Sequence, residues 1–393
     1  MSRRSIFRSL MLACLAFAGA NVHAAGSDAH AGKSRPHTPG LVEWSAPALP
    51  SNLPQTEEEK EAGRRQGRRT PTPELLQPTI DRQLPAYVPT PGVRLSGTFA
   101  GGSSDVLVGL VGMWFERFAR YHPDVRLSIE PPFAGSLGTK ELIKESVDFV
   151  FVSRELKPED LVEFDARFGY APTSIPISGG SYRHFGFLDA MGFFVHPDNP
   201  IRQLSYEQID AIYSSTRHRG GDAITTWGQL GLTGEWADKK IAVHGIKPWN
   251  GFEEFIRQKI LDKDGRRGEW RDDIHFEKVV FPLAGNVAGD RYALGYSGLA
   301  YIDAPVRMLP LVEVAGSAAV APTYENVALA TYPLTRLVYF NVNKAPGKPL
   351  PPALAEFVRF LLSREGQEVV REHGIFLPLR ESQAAPGRQT LGD

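Results

Sequence analysis

Residues 125–154 read VRLSIEPPFAGSLGTKELIKESVDFVFVSR, and this stretch decides the class of fold. Residues 125–129 have the composition of a strand, and the almost wholly apolar run at 147–152 is typical of a buried strand. Between them, the glycine-rich segment 135–139 predicts a turn, and a helix is expected from Lys140. A strand, a helix and a second strand in this order predict an α/β fold.

A second unit of this kind lies upstream. Residues 93–96 are strand-like, residues 101–105 predict a turn, and a helix follows. Ser104 is expected to cap that helix, with Asp105 in its first turn. The apolar residues at helical spacing are Leu107, Leu110, Val111, Trp114 and Phe118.

A third unit lies downstream, at residues 241–260. Residues 241–243 are strand-like, and a loop with Asn250 and Gly251 precedes the next helix. The expected apolar face of that helix consists of Phe252, Phe255, Ile256 and Ile260.

The three turns share features that suit an anion. Glycine lets a ligand approach the unpaired N–H groups at a helix start, and serine or threonine hydroxyls add donors. In open α/β sheets such turns meet at the carboxyl ends of the strands. Arg154 follows Ser153 at one of these ends, so we predict an anion-sized site. The alternative for each turn is ordinary helix capping.

Several stretches in this order resemble the phosphate-binding proteins of ABC importers, which are type II periplasmic solute-binding proteins. Residues 118–125, 153–159, 196–209, 226–231, 295–298, 332–336, 360–367 and 374–379 carry the resemblance. It implies an α/β fold of two lobes, with residues 92–188 and 336–380 in lobe I and 189–335 in lobe II. Two crossover hinge segments are implied near residues 189–193 and 337–339, with the ligand in the cleft between the lobes.

The resemblance also implies the binding residues in lobe I. By their positions these are Ser104 and Asp105 before the first helix, Ser136 in the glycine–serine turn, and Arg154. Neighbouring hydroxyls extend the predicted site to Thr139 and Ser153.

In lobe II the chain departs from the family pattern. The family has an arginine and a later Ser-Gly-Thr triplet, where this chain has Ile246 and then Asn250-Gly251-Phe252. Lys247, Asn250 and Gly251 are the candidate replacements. Lysine lacks the bidentate fork of arginine. With these departures, the chain resembles a divergent member of the family.

The remaining segments predict export and two tails. Three arginines, an apolar run and Val22-His23-Ala24 indicate a signal peptide at residues 1–24, and hence the periplasm. The alternative is a lipoprotein anchored through Cys14, the single cysteine. Residues 25–91 hold 11 of the 31 prolines and predict a disordered linker. Residues 381–393 are expected to be a C-terminal tail.

Composition and spacing argue against other functions. Without residues 1–24, the chain has 41 basic and 45 acidic side chains, a balance that predicts no nucleic-acid binding. The ten histidines lack zinc-protease spacing, and residues 295–298 do not form a nucleophile elbow.

We therefore predict a monomeric binding protein without cofactor, metal or catalytic activity, whose partners are phosphate or a related oxyanion and the membrane subunits of an ABC transporter. One alternative is a descendant that lost tight binding and acts as a sensor or envelope interaction protein. A hydrolase is the third hypothesis, since catalytic residues need not be adjacent in sequence.

Overall fold

The computed structural model describes residues 78–131, 135–184, 186–248 and 250–391, with the backbone alone for residues 135–137. The predicted signal peptide, Cys14 and residues 25–77 lie outside the described residues. No helix in the described part is both long enough and apolar enough to cross a bilayer.

The described residues form the following strands and helices. The strands are β1 Gly97–Ser103, β2 Val125–Ile129, β3 Phe149–Val152, β4 Thr173–Gly179, β5 Met191–Val195, β6 Leu204–Ser205, β7 Ala242–Ile246, β8 His275–Glu277, β9 Ala293–Gly298, β10 Arg307–Met308, β11 Leu311–Val312 and β12 Leu337–Val342. The helices are α1 Val108–Ala119, α2 Gly135–Ile143, α3 Pro158–Phe168, α4 Tyr206–Tyr213, α5 Gly251–Ile256, α6 Leu283–Gly289, α7 Tyr324–Ala328, α8 Pro352–Leu361, α9 Arg364–His373 and α10 Glu381–Gln389. Short 3₁₀ turns are Asp105–Leu107, Trp227–Leu230, Gly234–Trp236 and Leu299–Tyr301, and a π-helical segment is Arg257–Leu261.

Lobe I contains a five-stranded sheet in the order β2-β1-β3-β12-β4. The first three strands are parallel, and β12 returns antiparallel between β3 and β4. Helix α1 covers one face, and all five residues predicted for its apolar face are 0–1% exposed. The prediction of an α/β fold is confirmed.

The glycines of the first unit belong to a strand and not to a turn. The predicted strand at residues 93–96 is wrong, since β1 begins at Gly97 and continues through Ser103. A Cβ on Gly101 would lie 2.0 Å from the Phe149 ring, and one on Gly102 would lie 3.0 Å from the Cα of Gly138. The missing side chains therefore admit close packing of α2 and the neighbouring strand.

Lobe II contains a second five-stranded sheet in the order β10-β5-β9-β7-β8. Strands β9, β7 and β8 are parallel, whereas β5 pairs antiparallel with both β9 and β10. The predicted apolar helix face packs into this lobe, with Phe255, Ile256 and Ile260 at most 2% exposed. The helix becomes π-helical from Arg257.

Two crossover segments join the sheets, one between β4 and β5 and the other just before β12. They run side by side, because Gly180 N donates to Arg336 O at 2.7 Å and Met191 N donates to Leu334 O at 3.2 Å. The crossovers predicted at 189–193 and 337–339 are therefore displaced by a few residues, because Met191 and Leu337 already begin strands.

The predicted linker is wrong for residues 78–91. Leu84 is 1% exposed and Tyr87 is 8% exposed, both in the core of lobe I. The Tyr87 ring packs at 5.0 Å from Tyr121 and 5.3 Å from Phe360. Its hydroxyl donates to Glu356 Oε1 at 2.9 Å. Apolar packing and hydrogen bonds, such as the one from Arg364 N to Pro85 O at 2.8 Å, hold this segment against the lobe.

The predicted C-terminal tail is also wrong, because residues 381–389 form α10. Ala384 is fully buried, and a Cβ on Gly387 would lie 2.8 Å from the Ile175 side chain on β4. Small residues let this helix lie directly on the sheet. The helix was not predicted because its sequence has no apolar residues at helical spacing.

Candidate functional site

A cleft of about 420 Å³ lies between the two lobes. Residues of both lobes and of the crossover segments contribute to it. Its lining consists of Ser104, Asp105, Val106, Ser153, Arg154, Lys157, Gly186, Leu188, Asp189, Gly251, Phe252, Glu254, Tyr301 and Arg336.

Two serines form the polar centre of the lobe I wall. Strands β1 and β3 are parallel neighbours, so Ser104 and Ser153 follow their carboxyl ends side by side. The Ser104 Oγ accepts from Ser153 N at 3.3 Å and lies 3.4 Å from Ser153 Oγ. Ser104 N donates to Phe151 O at 2.9 Å. The pair therefore presents hydroxyl groups to the cleft at fixed positions.

Arg154 extends this wall and is anchored within lobe I. Its Nη1 donates to Glu155 O at 2.8 Å, and Nη2 lies 3.9 Å from Asp160 Oδ2. Burial raises the pKa of Asp160, although the charge of Arg154 opposes that shift. The Arg154 side chain is 18% exposed. The guanidinium is thus oriented by its neighbours and still reaches the cleft.

Ion pairs connect the lobes at the cleft. Lys157 of lobe I lies 3.9 Å from Glu254 of lobe II, and Glu155 of lobe I lies 3.3 Å from Lys259 of lobe II. The Tyr339 hydroxyl donates to Glu155 Oε1 at 3.1 Å. Lys157 therefore faces an opposite charge on α5, and Glu155 faces one on the π-helical segment.

Asp189 and Arg336 stand where the crossover segments pass the cleft. Asp189 is 1% exposed, and its Oδ2 accepts from Ala300 N at 2.8 Å. Burial raises the pKa of Asp189 to about 7, although the Ala300 hydrogen bond and the charge of Arg336 oppose the shift. This carboxyl can exchange a proton near neutral pH.

Arg336 is buried between the lobes. Its guanidinium carbon lies 5.7 Å from the Phe252 ring and 5.0 Å from the Phe255 ring. Among the described residues, its Nε has no hydrogen-bond partner. Burial lowers the pKa of Arg336, and the nearby carboxylates of Glu155 and Asp189 oppose that shift. A buried cation with an unpaired donor beside a cleft is suited to an anionic ligand.

The lobe II wall has fewer polar groups. The Asn250 Oδ1 accepts from Phe252 N at 2.9 Å, so this side chain caps α5. Ile246 is completely buried in β7. Gly251, Phe252, Glu254 and Tyr301 line the cleft on this side.

Five of the nine predicted site residues line the cleft: Ser104, Asp105, Ser153, Arg154 and Gly251. Thr139, Lys247 and Asn250 are not among the lining residues, and Thr139 is only 1% exposed. The predicted turn at residues 135–139 is wrong because α2 already begins at Gly135, and the side chain of Ser136 lies outside the described residues.

The sequence interpretation missed Lys157, Asp189, Tyr301 and Arg336. A signal was present for two of them. Asp189 lies two residues before β5, and Arg336 directly precedes β12. A charged residue at such a position has to be buried or to face a cleft. The described residues contain no group of three or more histidine, cysteine, aspartate or glutamate side chains that could hold a metal ion.

Comparisons with known proteins identify relatives of this chain. A sequence profile described as the PBP superfamily domain matches residues 88–365. The phosphate-binding protein PstS of Pseudomonas aeruginosa is 35% identical over 314 residues, which cover 80% of this chain and 92% of that protein. PstS of Staphylococcus epidermidis is 23% identical over 280 residues, which cover 70% of this chain and 78% of that protein. The crystal structure of PstS from Borrelia burgdorferi is 18% identical, with a TM-score of 0.48, over 72% of this chain and all of that one. The profile match includes strands of both sheets.

Proposed function

This chain belongs to the PBP superfamily and to its family of PstS phosphate-binding proteins, and on that premise we propose that it binds phosphate or a related oxyanion in the interlobe cleft. It acts outside the cytoplasm and delivers its ligand to the membrane subunits of an ABC importer. We further propose that residues 1–24 direct its export, that it acts as a monomer, and that it is not an enzyme.

The observation that carries the proposal is the arrangement of Ser104, Ser153 and Arg154. These residues follow two adjacent parallel strands and line the same cleft. Hydroxyl and guanidinium donors suit an oxyanion, since charge-assisted hydrogen bonds are about twice as strong as neutral ones. The carboxyl ends of parallel strands are also where open α/β sheets bind ligands.

The residues at the crossover segments support phosphate over sulfate. Arg336 supplies a second cation, which is buried, and the Asp189 carboxyl lines the same cleft. When ionised, this carboxylate can accept a hydrogen bond from the O–H of hydrogen phosphate. Sulfate has no proton to donate at neutral pH, so it would leave the carboxylate facing an anion. We therefore expect phosphate to bind more tightly than sulfate.

Calorimetric titration of the ligand-stripped protein tests this proposal. The protein is unfolded, dialysed and refolded, and then titrated with phosphate and with sulfate. Arg154→Ala is expected to weaken phosphate binding by about 10- to 150-fold, which corresponds to the loss of a charged hydrogen bond of about 1.5–3 kcal/mol.

Arg167→Ala is the matched control. Arg167 lies on α3 in the same lobe and forms an exposed ion pair with Glu145 at 2.7 Å. It is not among the cleft residues, so its removal is expected to leave phosphate affinity unchanged. Absence of oxyanion binding at millimolar concentration would overturn the transport proposal and favour the sensor or interaction hypothesis.

A further inference from the structure

The lobe II side of the cleft is aromatic. Phe252 and Tyr301 both line it, and their ring centroids lie 5.1 Å apart at an interplanar angle of 81°. This edge-to-face arrangement is a favourable one for aromatic pairs. A ligand in the cleft therefore meets the donors of Ser104, Ser153 and Arg154 on one wall and, beside the Glu254 carboxylate, ring surface on the other.

The Phe252 ring is held in place by its surroundings. One neighbour is the Arg336 guanidinium, at 5.7 Å from the ring centroid. On another side the ring packs against Gly298, where an added Cβ would lie only 2.5 Å from Phe252 Cε1. The glycine thus makes room for the ring beside the carboxyl of Asp189.

Lobe I adds apolar surface to the same cleft through Val106 and Leu188. Leu188 has a φ of 54°, a left-handed conformation that is unusual for leucine. Such backbone strain persists only where surrounding structure enforces it, and it occurs preferentially at ligand-binding sites. The apolar surface is thus contributed by both lobes.

The cleft is larger than inorganic phosphate requires. Its volume is about 420 Å³. Inorganic phosphate has five heavy atoms and would occupy a small part of that space. Clefts of about 300–1,000 Å³ are typical of sites for organic ligands.

We infer that the ligand is an organic phosphorus oxyanion, a phosphonate or phosphate monoester whose apolar substituent packs on Phe252 and Tyr301. The inference rests on the proposed function, because Ser104, Ser153 and Arg154 hold the oxyanion head. The aromatic wall then selects for the substituent.

Titration of the ligand-stripped full chain with phosphate, methylphosphonate, phenylphosphonate and phenyl phosphate tests the inference. The two phenyl compounds are expected to bind about ten-fold more tightly than phosphate, as one favourable aromatic contact allows. Comparison of those two distinguishes a phosphonate from an ester. Phe252→Thr is expected to remove most of the phenyl preference, and Phe252→Leu, which retains apolar volume, part of it.

Phe281→Thr is the matched control. Phe281 is also half-buried and packs on Tyr301, at 5.5 Å, but it does not line the cleft. Its substitution is expected to leave the ratio of phenylphosphonate to phosphate affinity unchanged. Phosphate binding as tightly as either phenyl compound, or a ratio that Phe252→Thr and Phe252→Leu both leave unchanged, would overturn this inference and leave the proposed function intact. Failure of all four compounds to bind would overturn the proposed function itself.

Discussion

Replacement of Asp189 by asparagine is expected to change how the stability of the protein depends on pH. The carboxyl is 1% exposed and its pKa is raised from 3.8 to about 7, mainly by burial. Asparagine keeps an oxygen that can accept from Ala300 N and has no ionisable group. The variant therefore isolates the free energy of ionising this one buried carboxyl.

The sign follows from proton binding. Between about pH 4 and pH 7 the folded protein keeps the Asp189 proton, whereas the unfolded chain has already released it. The contribution of Asp189 to stability is therefore complete below pH 4 and declines as pH rises towards 7. The slope is about 1.4 kcal/mol per pH unit, which gives about 4 kcal/mol across the whole window.

Urea unfolding of both proteins at pH 4.5, 6.0 and 8.0, without ligand, measures this effect. The stability of Asp189→Asn relative to the natural chain is expected to rise by about 3 kcal/mol from pH 4.5 to pH 8.0, since part of the window lies below pH 4.5. Asp238→Asn, which removes an exposed carboxyl, is the control. A difference between Asp189→Asn and the natural chain that stays constant with pH would refute the reasoning, because it would mean that the carboxyl titrates alike in both states.

Two further predictions concern the N-terminal segment and the contact between the lobes. Leu84→Ala is expected to lower the free energy of unfolding by about 2–5 kcal/mol, because Leu84 is 1% exposed, whereas Val88→Ala, at 71% exposure, is expected to have little effect. Equal effects in urea unfolding would contradict packing of residues 78–91 on lobe I. In a double-mutant cycle, Glu155→Gln and Lys259→Met are expected to show a coupling of about 0.2–1 kcal/mol in phosphate affinity, as for a partly exposed ion pair. Strict additivity would mean that this pair does not contribute to the ligand-bound arrangement of the lobes.

Local patterns were sufficient to predict the main elements of the fold. The apolar run that ends at Val152 is a buried strand, and the helical spacing from Leu107 to Phe118 gives the buried face of α1. The family resemblance and the α/β class are confirmed by the sequence comparisons and the two sheets. These features were predictable because the buried face of a strand or helix shows in the spacing of its apolar residues along the sequence.

Close packing between elements was not predictable in this way. Glycines 101 and 102 were interpreted as a turn, yet they lie in β1. They are glycines because Phe149 and Gly138 occupy the space that side chains would need. Leu84 and Tyr87 were assigned to a linker, because isolated apolar residues among prolines show no period. Whether such residues are buried depends on what the distant segments α1 and α8 place beside them.

The residues of the candidate site also differ in whether local sequence patterns were sufficient to predict them. The sequence by itself predicted Ser153 and Arg154 at a strand end, because the apolar run at 147–152 marks the strand before them. Ser104 was predicted as a helix cap, and as a binding residue only through the family resemblance. Only the tertiary structure decided that Lys157, Asp189, Tyr301 and Arg336 join them, and that Lys247 and Asn250 do not line the cleft. These residues are far apart in the chain, and it is the side-by-side path of the two crossover segments that brings Asp189 and Arg336 to one cleft. Burial there, and with it the raised pKa of Asp189, is a property of the assembled lobes and not of any single segment.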